Sequence, residues 1–168
     1  QLLWQGRVEE AGGLLGRHYS LEGTVVGGRG IGRQLGYPTA NLSLPEEKLI
    51  PADGVYAGLA YDETTAGAGR QPCPAAISIG TAPTFELHER LIEAHLLGEV
   101  SSSLMGHTLR LQFLRRLRSQ QKFEDPQALS RQIALDVEQT SSLAASVAQS
   151  QGLSLSPTCL IPDASEAG

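Results

Sequence analysis

The sequence predicts a mainly β fold, a small antiparallel barrel or sandwich closed on one side by a helix. Three observations carry this expectation. Short strand-like runs occupy residues 19–26, 54–61, 74–80, 90–97 and 107–114. Turn-rich segments such as "LPEEKLIPADG", "DETTAGAGRQPCP" and "GEVSSSLMG" separate them. The clearest helical pattern comes after all of the strands, at 125–140, and nothing shows the β–helix–β alternation of a doubly wound sheet.

In chain order, "QLLWQGRVEEAGGLLGR" reads as short helical pieces, with Leu3, Val8, Ala11, Leu14 and Leu15 at roughly helical spacing. Gly12 and Gly13 weaken that helix and Gly16 is suited to stop it. "YSLEGTVV" alternates in part and runs into a glycine cluster. "GVYAGLAY" is rich in Val, Tyr and small residues, and "PAAISIG" is short and apolar. "RLIEAHLL" and "HTLRLQFL" alternate, so that Leu109, Leu111 and Phe113 share one face and Thr108, Arg110 and Gln112 the other. In "DPQALSRQIALDVEQT", Asp125 can cap the helix, Pro126 fits its first position, and Leu129, Ile133 and Val137 form one stripe. The remainder, rich in Ser, Ala and Gly, reads as some further helix and then a mobile tail.

The 168 residues suffice for one domain with a real core. A net charge of −5 and 5% aromatic residues exclude a general nucleic-acid binder, which needs a basic face and stacking rings. A small-barrel oligonucleotide-binding module is disfavoured for the same reasons. Net charge does not exclude a small anionic ligand, because local charge can oppose it. Cys73 and Cys159 form no CxxC or Cys/His cluster, which predicts an unbridged intracellular protein without structural zinc. No apolar run is long enough to span a bilayer as a helix, and the first residues lack the pattern of a signal peptide. The absence of an initiator methionine fits a fragment of a longer chain.

Three places could carry chemistry. In "GGRGIGRQLGYPTAN" the glycines let backbone N–H groups approach an anion, and Arg29 and Arg33 add positive charge. If "TAN" is extended, Thr39 and Asn41 point to one face, and two neutral oxygens side by side suit Mg²⁺. The loop is neither a Walker A motif nor a good dinucleotide fingerprint. A flexible glycine loop ending in a turn would use the same residues. In "RLIEAHLLG", Ile92, Ala94 and Leu96 share the face assigned to the core, while Glu93 and His95 share the other. A carboxylate on a rigid strand can act as a general base if it faces a cleft, and is otherwise the polar side of a half-buried strand. In "LRSQQKFED", Arg118, Gln121 and Phe123 could hold a planar ligand, or Phe123 could plug the core beside a solvated basic loop. The other histidines are scattered and no serine stands in a nucleophile elbow, so zinc and serine-hydrolase chemistry are not indicated.

Taken in order, these segments resemble the riboflavin kinase family, specifically the kinase module of bacterial bifunctional riboflavin kinase/FAD synthetases. "VVGGRGIGRQLGYPTAN" is similar to that family's glycine loop and Pro-Thr-Ala-Asn signature. "IPADGVYAG", "SIGTAPTF" and "IEAHLL" resemble its following segments, the last being the strand with the catalytic glutamate. "LRSQQKF" and "QIALD" resemble its flavin-side loop and closing helix. The match divides the chain into a helical remnant of an inter-domain joint (1–16), a kinase barrel with its helix (17–140), and a low-complexity tail, partly helical and then disordered (141–168).

The resemblance implies a six-stranded antiparallel Greek-key barrel in the cytoplasm. It implies transfer of a phosphoryl group from ATP to the 5′-hydroxyl of riboflavin, giving FMN and ADP, with Mg²⁺. It makes Glu93 the catalytic base and Thr39 and Asn41 the metal ligands. It places Gly28, Arg33, Thr39, Leu96 and Met105 at ATP, and Arg118, Gln121 and Phe123 at the flavin. It implies small-molecule substrates, no nucleic-acid or membrane partner, and an upstream adenylyltransferase domain in the native chain. Phosphoryl transfer needs positioning and charge neutralisation more than covalent help, which a glycine loop, one divalent ion and one carboxylate supply. Gly98 and Ser103 stand where the family often has acidic residues, and Met105 where it has an aromatic one. Sulfur–aromatic contact can partly replace stacking. The altered segment also motivates an alternative, a flavin- or nucleotide-binding module with little turnover.

Overall fold

Alternating burial along several of the strands builds the fold. In the computed structural model, which describes residues 1–26, 39–45, 49–64, 71–83, 88–98 and 104–156, a 3-10 turn at Leu3–Gln5 and helix α1 (Val8–Leu15) precede the strands. These are β1 (Ser20–Val26), β2 (Thr39–Ser43), β3 (Gly54–Asp62), β4 (Cys73–Pro83), β5 (His88–Leu96) and β6 (Thr108–Arg118), and helix α2 (Pro126–Gln151) follows. The strands close a barrel in the order β1-β2-β5-β4-β3-β6, with every neighbour antiparallel. Strands β3, β4 and β5 pair consecutively and β6 returns beside β3, which is a Greek key. The expected six-stranded barrel is therefore the observed fold. Its sixth strand, β2, is "TANLS", whose two inward residues, Ala40 and Leu42, are too few to stand out by pattern.

The interior holds Leu21, Val25, Ile77, Ile79, Ile92, Leu96, Leu109, Leu111 and Phe113. Tyr56 meets Phe113 edge to face, with ring centroids 5.3 Å apart, and its hydroxyl donates to the Ala52 carbonyl at 2.6 Å. Close packing explains Gly58: a Cβ there would stand 2.5 Å from Ile77 Cδ1 and 2.6 Å from the Gln112 carbonyl. Strand β3 is buried on both faces from Gly54 to Ala60, because α2 covers its outside. There Leu59 and Leu114 pack with Ala144 in a second, smaller cluster.

Helix α2 starts as its sequence predicts. Asp125 accepts from the Gln127 amide at 2.9 Å and Pro126 occupies the first turn. The helix runs through the boundary drawn at residue 140. Residues 141–151 continue the same helix, because Ala144 and Ala148 prolong the buried stripe, and Gly152 ends it in the left-handed region at φ 66°. At the other end, Gly16 caps α1 in the left-handed region as expected. Val8 and Ala11 are buried, but Leu14 and Leu15 are 81% and 55% exposed, so only the first half of that predicted stripe packs.

The expectation of an unbridged chain is corrected at Cys73, which is disulfide-bonded. The chain's other cysteine, Cys159, lies outside the described residues.

The barrel rim where β3 ends and β6 begins is held by hydrogen bonds to Asp62. His107 Nδ1 lies 2.9 Å from Asp62 Oδ2, and the Thr64 amide donates to Asp62 Oδ1 at 3.0 Å. Burial alone would raise the Asp62 pKa, but these hydrogen bonds and the imidazole hold it below the ordinary carboxylate value. Asp62 therefore contributes stability that is full above its unfolded pKa of 3.8 and is lost as pH falls through its lower folded value. The expected result is that the acid-induced loss of stability below that pH is smaller in Asp62→Asn than in the parent. Urea unfolding at stepped pH checks this, and parallel curves for the two proteins would remove Asp62 as a source of acid sensitivity.

Candidate active site

The strand register brings the sequence-predicted residues onto one outer face. Asn41 on β2 is the partner of Glu93 on β5, and Glu93 is the partner of Ser78 on β4. One step along, Thr39, His95 and Ala76 form a second row. Directly opposed residues carry Cβ atoms ~5 Å apart, so each row is a line of neighbouring side chains. The intervening residues Ala40, Ile77, Ile92 and Ala94 point into the core and fix the strands. A one-residue slip would bury Glu93 and expose Ile92, so the hydrophobic pattern itself aims the carboxylate outward.

The two rows run across β2, β5 and β4, around the barrel wall. One rim gathers the end of β1 and the starts of β2, β4 and β6, with Thr39 among them. Met105 sits there too, 58% exposed, next to Gly106, whose amide donates to the Val25 carbonyl at 2.9 Å. Leu96 ends β5 at this rim, but its side chain is 1% exposed and belongs to the core, not to the outer face with Glu93. Gly28 and Arg33 lie outside the described residues. At the opposite rim β6 ends at Arg118, and residues 119–125 lead into α2.

Between α2 and the outer face of the barrel lies a cavity of about 260 Å³. Glu93, His95 and Ser78 stand on its strand side, Leu129, Ile133 and Val137 on its helix side, and Arg118, Gln121 and Phe123 at its edge. The predicted helical stripe therefore faces this cavity. A second, more polar cleft of about 420 Å³ shares Glu93, Ser78, Gln120 and Gln121 with it and continues to Asp53, Thr81 and Lys122. Gln120 stands between the two, its Nε2 donating to Ser78 Oγ at 2.8 Å and to the Ile79 carbonyl at 2.9 Å. Glu93 thus borders an apolar chamber and a polar one.

Arg118 is committed to a partner. Its Nε lies 3.0 Å and its Nη2 2.8 Å from the two carboxylate oxygens of Asp136, a bidentate pair, and Nη1 donates to the Ser119 carbonyl at 3.2 Å. Its guanidinium carbon lies 5.8 Å from the centre of the Phe123 ring. It forms a fixed wall. Gln132 Nε2 adds a bond to Asp136 at 3.1 Å.

Burial pushes the His95 imidazole below its ordinary pKa, an effect the Asp136 carboxylate partly offsets. Nδ1 of the ring lies 3.2 Å from Thr39 Oγ1. Thr39 and Asn41 present neutral oxygens beside the Glu93 carboxylate, a hard donor set that suits a divalent cation holding most of its waters. Among the described residues no group of three or more His, Cys, Asp or Glu gathers as a metal site.

Sequence reasoning missed Ser78, Gln120, Asp136 and the pairing of His95 with Thr39. Only Asp136 left a signal: with Thr140 it falls at helical spacing within the buried stripe, and both are polar and buried.

Comparison with known proteins agrees with this geometry. A family model described as "Flavokinase: Riboflavin kinase" matches residues 15–144. The bifunctional riboflavin kinase/FMN adenylyltransferase of Escherichia coli K12 is 35% identical over 136 residues, covering 81% of this chain and 41% of the relative. That of Bacillus subtilis strain 168 is 34% identical over 80% of this chain and 41% of its own. This chain therefore spans about two fifths of the length of such relatives. A crystal structure described as a macrolide-efflux protein from Streptococcus pneumoniae superposes with TM-score 0.75 at 36% identity, covering 83% of this chain and 44% of that one. Among the described residues no helix is long and apolar enough to cross a membrane. The crystal structure of riboflavin kinase from Trypanosoma brucei superposes with TM-score 0.55 at 27% identity, covering 80% and 79%. A matched family model across most of the chain, and a Greek-key barrel with its closing helix over a glutamate-bearing strand, together establish that this chain belongs to the riboflavin kinase family.

Proposed function

We propose that this chain catalyses the ATP- and Mg²⁺-dependent phosphorylation of the 5′-hydroxyl of riboflavin, giving FMN and ADP. The observation that carries the reading is the placement of Glu93, in line with Asn41 and Ser78 and bordering both the apolar cavity and the polar cleft. A flat tricyclic ring with a polyol chain needs that pairing of chambers. Leu129, Ile133, Val137 and Phe123 would hold the ring, with Gln121 and the Arg118 wall at its edge. The chain would reach Glu93 past Gln120 and Ser78.

Glu93 accepts the proton of the 5′-hydroxyl as that oxygen attacks the terminal phosphorus of ATP and the bond from phosphorus to the ADP oxygen breaks. Thr39 and Asn41 hold the divalent cation, which when bound neutralises charge on the phosphates. Gly28 and Arg33, which lie outside the described residues, would act on those phosphates, and Met105 lies at the same rim as Thr39. Leu96 would act there through its backbone, since its side chain is in the core.

The test is incubation with riboflavin and ATP, with Mg²⁺ or with EDTA, followed by chromatographic separation of the flavins. FMN is expected only with Mg²⁺. Riboflavin that binds yet is never phosphorylated would overturn the kinase reading in favour of a binding module.

A further inference from the structure

The metal-side hydroxyl has a partner that no expectation from sequence assigned. Thr39 and His95 face each other across β2 and β5, with 3.2 Å between Oγ1 and Nδ1. The half-buried His95 ring lines the cavity between the strands and α2, beside Ala76, Asp136 and Val137. From that geometry we infer that His95 is a positioning residue: its Nδ1 takes the Thr39 hydroxyl proton in a hydrogen bond and so turns an oxygen lone pair of Thr39 toward the divalent cation. The inference rests on the proposed reading of Thr39 as a metal ligand.

The physical case is one of donors and lone pairs. A threonine hydroxyl has one proton and two lone pairs, and its O–H is free to rotate about the C–O bond. A hydroxyl that ligates a cation must keep its proton away from the ion. A nitrogen acceptor at a fixed position does that, whereas a donor there would compete with the ion for a lone pair. Groups that orient a ligand from behind commonly change metal affinity by about 10–100-fold when removed. His95 therefore connects the metal side of the site to the cavity under α2: one edge of the ring faces Thr39, and the ring also borders the chamber lined by Asp136 and Val137.

The test reads metal affinity directly. Mn²⁺ binding to the protein with ADP is followed by the electron paramagnetic resonance signal of free Mn²⁺, for the parent and for His95→Asn, His95→Gln, His95→Leu and Thr39→Val. An asparagine amide oxygen can occupy the place of Nδ1, whereas a glutamine amide reaches the place of Nε2. The expected result is about tenfold weaker Mn²⁺ binding in His95→Gln and His95→Leu, and recovery to within about twofold in His95→Asn. ADP binding in EDTA should stay unchanged in the three His95 variants. If His95→Leu fails to fold, the Asn/Gln pair, both polar and close in size, still decides. Equal affinities for those two variants would overturn the inference, because a merely structural histidine does not distinguish where the acceptor sits. Thr39→Val separates the two readings. If it weakens Mn²⁺ binding while His95→Gln does not, the role of His95 fails alone. If Thr39→Val changes nothing, Thr39 is no ligand, and the inference fails with the reading beneath it.

Discussion

Glu93→Gln is expected to lower the rate of FMN formation by about 10²–10⁴-fold while riboflavin and ADP still bind, the range for loss of a positioned general base. The substitution is nearly isosteric and keeps the wall that Glu93 shares between the two chambers. It removes the one property that the proposed reaction needs there, an oxygen that can take a proton. Strand β5 lies between β2 and β4, with Ile92 and Ala94 buried on its other face, so the backbone has no freedom to adjust. Single-turnover formation of FMN, measured beside a titration of riboflavin fluorescence, separates the outcomes. Turnover at the parent rate would show that Glu93 is not the base. Loss of flavin binding together with turnover would make Glu93 a wall of the site instead of its proton acceptor.

How far the sequence reveals this site depends on the range of each contact. Alternation within one strand is local, so "RLIEAHLL" already places Ile92 and Glu93 on opposite faces. Capping is local as well, which is why Asp125 and Pro126 locate the start of α2. The order of strands around the barrel is not local. "TANLS" has two inward residues, and only its pairing with β1 and β5 makes it a strand. The partners of Glu93 and His95 on β2 are set by that pairing, across more than fifty residues of chain; resemblance to a family grouped Glu93 with Thr39 and Asn41 but left His95 unassigned. The function of Arg118 illustrates the remaining gap. By residue type it is free to bind a ligand's edge, but a carboxylate eighteen positions along the chain claims two of its nitrogens. The place of that carboxylate in the helical stripe is legible in the sequence, but its partner is not until the barrel is placed against it. Cys73 is similar: spacing along the chain gave no reason to expect its disulfide.

Asp136→Ala is expected to be among the most destabilising single changes. The Arg118 and Asp136 side chains are 17% and 5% exposed, so the pair is largely withdrawn from water. Such a pair adds little net stability over a well-packed apolar one, because desolvating both charges offsets most of their attraction. Removing one partner is different. The guanidinium then stays between β6 and α2 without its countercharge, and breaking a buried pair in this way costs about 3–5 kcal/mol. At roughly 2–4 °C per kcal/mol for a chain of this size, the melting temperature falls on the order of 10 °C. The double variant Asp136→Leu with Arg118→Met removes both charges and is expected to recover most of that loss. Riboflavin affinity is not expected to return with it, because the guanidinium beside the Phe123 ring is part of the proposed flavin wall. Thermal unfolding by circular dichroism and flavin titration on the same three proteins measure the two effects separately. A single variant melting within 1 °C of the parent would show that water reaches Arg118 well enough to replace Asp136. Recovery of both stability and flavin affinity in the double variant would mean that this wall needs only shape, and that the charge of Arg118 serves the helix alone.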